Sequence, residues 1–433
     1  MRSRNTLRLG ALVFAGSLVL SGCLGAEEGG DGGENQSVTI FGGITGTEEV
    51  KLVKEAVAEM SEATGVDVKY EPSRDFTTLI RSKVRGGDAP DIALYPQPGL
   101  LLDMSSDITP LDDVDAGLDA ASETLIPGFL DSASKDGKVY GAPIDQAPKS
   151  LVWYPKQAFQ QAGYEEPTTH QELLDLTDQI KQDGEAPWCI GLESGPDTGW
   201  PATDWLEDYV LRTAGPDAYD QWVDGELAFS SPEVKEAAEA MGDVMLAEGN
   251  VQGGGQAIVN APFGESSERM FEDPPGCFLH RQASFITSFF PEKVQENLDE
   301  EAGVFVLPPV EDGFDGTPIL GSGNFAALLN SENENAVKVM EYLISDKFGT
   351  PRYEAGGILS PHTTFDTSKY PDEVTKQIAE QVNEADVFRF DGSDLMPAEV
   401  GTGSFWTGMV DWIGGRKDLD TVLTEIDESW PSS

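Results

Sequence analysis

The chain is poor in the residues that most catalytic and metal chemistry needs. Among 433 residues there are three histidines, His170, His280 and His362, and three cysteines, Cys23, Cys189 and Cys277. The histidines lie far apart, with no H-E-x-x-H or paired metal spacing, which argues against a zinc site or a Ser-His-Asp triad. Ser132 and Lys135 match the S-x-x-K of serine acyl-enzymes, but no K-T-G or S-D-N follows, so the match is set aside. The absence of G-x-x-x-x-G-K-[ST] excludes a P-loop ATPase. Basic residues are scarce: 28 Lys and Arg face 77 Asp and Glu, a formal net charge of −49. Such a chain repels nucleic acid and anionic lipid, and neither is expected as a partner. The acidic residues are spread along the sequence, as on a solvated, salt-tolerant surface. No later segment reaches 18 uninterrupted apolar residues, so the body should not span a membrane. No internal repeat is visible, which weighs against a scaffolding array.

What is present begins at the N-terminus. Arg2, Arg4 and Arg8 lead into an apolar run, Leu9 to Leu20, closed by Leu20-Ser21-Gly22-Cys23. A basic start, a short apolar stretch and small residues before a cysteine form a cleaved signal sequence. Residues 1–22 are therefore expected to be a lipoprotein signal, with Cys23 lipidated; the plainer alternative is an ordinary secretory signal. Residues 23–37 hold little that could pack, so a flexible linker with a reach of roughly 20 Å is expected. The predicted location is extracytoplasmic, lipid-anchored to the outer face of the cell membrane. Without Cys23 two cysteines remain, and in an oxidising compartment Cys189 and Cys277 are a candidate disulfide; the alternative is two buried thiols. A mature chain of about 410 residues is long for one core and suits two domains.

Val38 to Phe41 is β-rich and ends at Gly42-Gly43; Glu48 to Ala63 has apolar residues at helical spacing and stops at Gly65. A strand at 66–70, a helix at 77–85 and a strand at 91–95 complete a β-α-β-α-β alternation, hence an α/β domain on a largely parallel sheet. Ligands of such sheets sit at the C-terminal strand ends, here Gly42 to Thr47, Glu71 to Asp75 and Pro96 to Pro98. Further on, helices are expected at 171–182, from Ser231-Pro232-Glu233, and at 333–345. Gly253-Gly254-Gly255 is expected to be a loop, and a strand returns at 304–310.

The order of these parts resembles the extracellular solute-binding proteins of ABC-type importers, in their sugar-binding branch. The landmarks are Ala89-Pro90-Asp91-Ile92, then Val139-Tyr140-Gly141-Ala142-Pro143, then Leu151-Val152-Trp153-Tyr154, and Gly321 to Phe325 ahead of a helix. Pro187 to Gly191, Gly199 to Trp205, and Arg389 to Pro397 with Phe405-Trp406 are similar to α-glucoside-binding members. The resemblance implies an α/β, two-lobed periplasmic-binding-protein-like fold of type II, with hinge crossings and a ligand cleft between the lobes. Lobe 1 would combine 38–145 with 304–355, and lobe 2, more helical, 146–303 with 356–433. It implies a monomer that captures a carbohydrate, an α-glucoside or short oligosaccharide, by cleft closure and hands it to the membrane permease subunits, with no cofactor, no metal and no catalysis.

A sugar offers a C–H face to aromatic rings and a rim of hydroxyls to planar polar side chains. Candidate ligand residues are therefore Gly43, Thr45, Arg74 and Gln97 at strand ends, and Asp145 at the first crossing. Trp200, Asp204 and Trp205 join them, core packing being the alternative for each tryptophan. Gly321, Ser322, Gly323 and Asn324 would bring backbone and an amide close to ligand, or form a tight turn. Arg389 is either a donor fork or an ion pair with Asp391 or Asp394. A glycoside hydrolase is the enzymatic rival, since so many carboxylates could supply the pair it needs. A carbohydrate-binding surface lipoprotein is the third reading.

Overall fold

The computed structural model describes residues 37–126 and 129–431; the signal, Cys23 and the linker up to residue 36 lie outside them. The elements that position the site begin with β1 (Val38–Gly42), α1 (Thr47–Thr64), β2 (Val68–Pro72), α2 (Phe76–Gly86) and β3 (Ile92–Tyr95). β1 lies between β2 and β3 and is parallel to both. Val53, Val57 and Met60 are the buried stripe of α1, and the helix stops at Gly65, whose φ of 70° suits glycine.

Two short strands follow, β4 (Ala142–Pro143) and β5 (Ala147–Pro148), and then β6 (Leu151–Pro155). The middle of the chain is largely helical. It contains α3 (His170–Gln182), α4 (Trp200–Thr213) and α5 (Pro232–Met245), with Ser231 accepting the Val234 N–H as N-cap. The expected glycine loop is in part a helix, α6 (Gly254–Asn260). Its second glycine explains this: a Cβ on Gly255 would run into the Ile413 carbonyl, so glycine there permits close helix packing.

The chain then forms β7 (His280–Arg281), β8 (Ala302–Val306), β9 (Pro318–Ser322), β10 (Phe325–Leu328), α7 (Glu334–Leu343), α8 (Thr350–Ala355), β11 (Val387–Phe390) and α9 (Gly392–Leu395). The strand expected near Val304 pairs antiparallel with β6, as does β7. The chain rejoins the first sheet only at β10, which inserts antiparallel between β3 and β4 to give the order β2-β1-β3-β10-β4. A third small sheet has the order β11-β9-β5.

Two stretches thus cross side by side from one sheet to another. Ala142 and Pro143 pair with Ala326 and Phe325, and Ala147 and Pro148 with Ser322 and Gly321. Asp145 sits between these pairings. Its Oδ1 accepts the Asn324 backbone N–H at 2.7 Å, and its Oδ2 faces the Arg352 Nη2 at 2.7 Å. The cores follow the same division. One set of apolar side chains joins β1, α1, β3, β10 and α7, and another gathers around α4, α5 and the C-terminal helices.

Candidate functional site

A cavity of about 690 Å³ opens where the crossing stretches meet the C-terminal ends of β1, β2 and β3. That is within the range that encloses a small organic ligand. One wall comes from strand ends, with Gly43 and Thr45 after β1, Arg74 after β2 and Gln97 after β3. Asp145, Ser322, Gly323 and Asn324 of the crossings line it beside them. Gly323 is required there, because a Cβ would collide with the Asp145 carbonyl. The opposite wall runs from Glu193 to Trp200 and from Pro262 to Glu268.

Trp200 opens α4, where Pro201 suits the first turn, and its ring lies half-buried against Phe263, centroids 5.0 Å apart. The Lys149 ammonium sits 5.3 Å from the Trp200 ring centroid. Trp406 adds a second tryptophan to the lining, only 4% exposed. Apolar rings beside amides and carboxylates suit a polyhydroxyl molecule, whose C–H faces and hydroxyls need both.

Behind this lining lies a buried charge cluster. Lys149 Nζ bridges Asp204, at 2.8 Å, and Asp391. The carboxylates of Asp204, Glu207 and Asp391 lie within 4.8 Å of one another, close enough to share a cation, and the lysine ammonium takes that part. Burial and then the neighbouring Asp391 push the Asp394 carboxyl well above its ordinary range, and Glu207 is raised for the same reasons. Burial drives the Asp391 carboxyl upward, but the Lys149 charge and the hydrogen bonds it receives from Lys149, Asp204 and the Asp394 N–H together outweigh burial and hold it low. Glu207 accepts the Gly392 and Ser393 N–H groups at 2.8 and 3.0 Å and so fixes α9, which carries Asp394 into the lining. On the far wall, burial and Asp75 raise the Asp197 carboxyl to about 6.

Nine of the thirteen expected ligand residues line the cavity: Gly43, Thr45, Arg74, Gln97, Asp145, Trp200, Ser322, Gly323 and Asn324. The other four are placed elsewhere. Trp205 is 1% exposed, edge-on to Trp188 at 5.4 Å and parallel to Tyr209, which makes it core. Asp204 lies one layer behind the lining, as a partner of Lys149. Gly321 is in β9, where a Cβ would strike the Phe388 ring. Arg389 forms a forked ion pair with Asp220, at 2.6 and 2.8 Å, rather than with Asp391 or Asp394. Lining residues that sequence reasoning missed include Lys149, Asp197, Phe263, Arg352, Asp394 and Trp406. Lys149 and Arg352 had one faint signal, their presence in a chain with so few cations. Cys189 and Cys277 are bonded to each other, with Cα atoms 5.7 Å apart.

Comparison with known proteins adds to this geometry. Residues 45–349 match the family model described as bacterial extracellular solute-binding protein. The chain is 41% identical over 416 residues to the osmoprotective compounds-binding protein GgtB of Synechocystis sp., covering 96% of this chain and 97% of that one. It is 39% identical over 408 residues to the alpha-glucosides-binding periplasmic protein AglE of Rhizobium meliloti, covering 92% and 88%. Among solved structures it is similar to a chitin oligosaccharide binding protein, with a TM-score of 0.77 at 17% identity over 92% of this chain and 98% of that one. A maltose-bound protein of T. maritima gives a TM-score of 0.69 at 16% identity, over 90% and 98%. At these identities the structures speak to the fold alone.

Proposed function

This chain belongs to the bacterial extracellular solute-binding protein family, and on that footing we propose that it captures an α-glucoside or a short oligosaccharide. The coarser description needs no proposal. It is a sugar-binding protein of an ABC importer with the type II fold, not an enzyme, and the glycoside hydrolase reading is set aside.

The observation that carries the finer reading is the cavity itself, in which Trp200 and Trp406 stand beside Gln97, Asp145, Asn324 and Arg74. The name of AglE, for alpha-glucosides, points the same way, while that of GgtB speaks of osmoprotective compounds. The nine lining candidates, with Trp406, are the proposed contact set. In the proposed mechanism one lobe comprises 38–145 with the chain that returns at Phe325 and runs to about residue 355. The other comprises the remainder. Ligand touching both walls favours the closed arrangement by its extra contacts there, which shifts the population toward it. The closed form then delivers its load to the permease. A lipid on Cys23 would tether this monomer to the membrane face and raise its concentration at the permease.

Calorimetric titration with maltose, sucrose and trehalose, paired with chromatography of the mixtures, tests the reading. One-to-one binding of at least one α-glucoside without products is the expected result. Silence toward all three, with binding of a solute of another class, would overturn the α-glucoside assignment.

A further inference from the structure

We propose that Arg352 and Gln97 act as a donor and acceptor pair that reads the hydroxyls of an uncharged ligand, a role that rests on the sugar-capture reading above. Both side chains line the cavity, and both are at least nine-tenths buried, at 3% and 9% exposure. The Arg352 guanidinium commits Nη2 to Asp145, while its buried Nη1 has no hydrogen-bond partner among the described residues. The Gln97 amide is bonded to Asp394 through its N–H side, and its buried Oε1 likewise has no partner among the described residues.

These two atoms differ from the other deeply buried polar groups of the lining. Asp145 and Asn324 satisfy each other, and Lys149 and Asp391 do the same. Arg352 Nη1 and Gln97 Oε1 are left as an unpartnered donor and an unpartnered acceptor on two residues that line one cavity. A buried polar group left unmade costs more than a made bond returns, so a ligand that completes both is favoured over one that completes neither.

Their chemistry narrows the ligand class. Arginine stays charged and only donates; the amide oxygen only accepts. A carboxylate or a fully ionised phosphate ester can serve Arg352, but that group brings no hydrogen to Gln97. It also enters a cavity lined by eight carboxylate residues against three cations, two of which are already paired. A protonated amine can serve Gln97 but offers nothing to Arg352. A hydroxyl donates and accepts, so an uncharged polyhydroxyl ligand is the class that completes both atoms.

Arg352→Lys keeps a charge beside Asp145 but loses the second arm of the fork. Gln97→Met keeps length but loses the acceptor. With whichever of sucrose, trehalose and maltose binds the unaltered protein best, each variant should bind about 10- to 100-fold more weakly while its melting temperature stays close to that of the parent. For each variant, one single-deoxy analogue of that sugar should close the gap to under about threefold, because the missing hydroxyl was the partner of the altered side chain. Unchanged affinity in either variant, or a deficit that persists on every deoxy analogue, overturns the pair. Should a variant not fold, the unaltered protein decides: trehalose 6-phosphate should bind at least about tenfold more weakly than trehalose, and equal affinities overturn the proposal. If none of the three sugars binds the unaltered protein, the α-glucoside reading fails and takes the pair with it; binding with indifferent variants sinks the pair alone.

Discussion

Two tryptophans five residues apart on α4 have separate tasks. Trp205 faces inward between Trp188 and Tyr209, with the Arg281 guanidinium 5.7 Å from its ring centroid. Trp200, one and a half turns earlier, presents its ring to the cavity and rests on Phe263 and Phe285. Removing a buried indole typically costs ~3–5 kcal/mol, whereas removing a half-exposed one costs far less. Trp205→Ala should therefore lower stability by about that amount in a denaturant titration, with the folded fraction keeping its sugar affinity within about threefold. Trp200→Ala should do the reverse, weakening binding by about tenfold or more at little cost in stability. Equal effects on affinity would remove the distinction. The sequence around Gly199 to Trp205 carries the aromatic and acidic residues of a sugar site but not their orientation. Helical phase around a helix buried on nearly every side has no polar face to reveal which side meets the ligand.

At the scale of elements, the far wall of the cavity is made of two segments with little regular structure, 188–200 and 261–277, laid beside each other. Glu193 N bonds to the Ala261 carbonyl at 2.9 Å, and Phe263 N to the Glu193 carbonyl at 3.0 Å. The Cys189–Cys277 bond closes 88 residues of chain and clamps these two segments together. Losing such a cross-link typically costs ~2–4 kcal/mol. The Cys189→Ser, Cys277→Ser double variant should melt lower by several degrees, and its sugar affinity should fall because Glu193, Asp197 and Phe263 lose a fixed backbone. Matching melting curves with and without the bond would refute this. The elements best anticipated from sequence, β1 through β3, α3 and α5, owe their structure to local signals: apolar period, glycine stops and the Ser231 cap. The pairing of β8 with β6 and the helical start at Gly254 arise from contacts distant in sequence, which no local pattern encodes. The site divides in the same way. Strand ends were legible from the α/β alternation, whereas Lys149 and Arg352 became recognisable only once Asp204, Asp391 and Asp145 stood around them.

For the whole molecule, a net charge of −49 sets the dominant long-range force. Repulsion among like surface charges opposes the compact state, and dissolved ions screen it beyond about 3 Å at 1 M salt, compared with about 10 Å at 0.1 M. Surface ion pairs such as Lys138 with Asp113 and Lys235 with Asp420 contribute little each and cannot balance so many carboxylates. The melting temperature should therefore rise with potassium chloride, by about 3 °C or more between 0.1 and 1 M. A flat or falling curve would mean that local pairing already compensates the surface.

The insertion of β10 between β3 and β4 has a consequence in time rather than in space. The first sheet keeps a missing rung until residues 325–328 arrive to join strands at 92–95 and 142–143. Contacts between such distant parts of a chain form slowly and close large loops. A polypeptide delivered N-terminus first, from a ribosome or across a membrane, thus carries an incomplete sheet for about three-quarters of its length. Partial chains should stay pliable and sensitive to protease until β10 emerges, so that vectorial delivery and folding occur in sequence and do not compete.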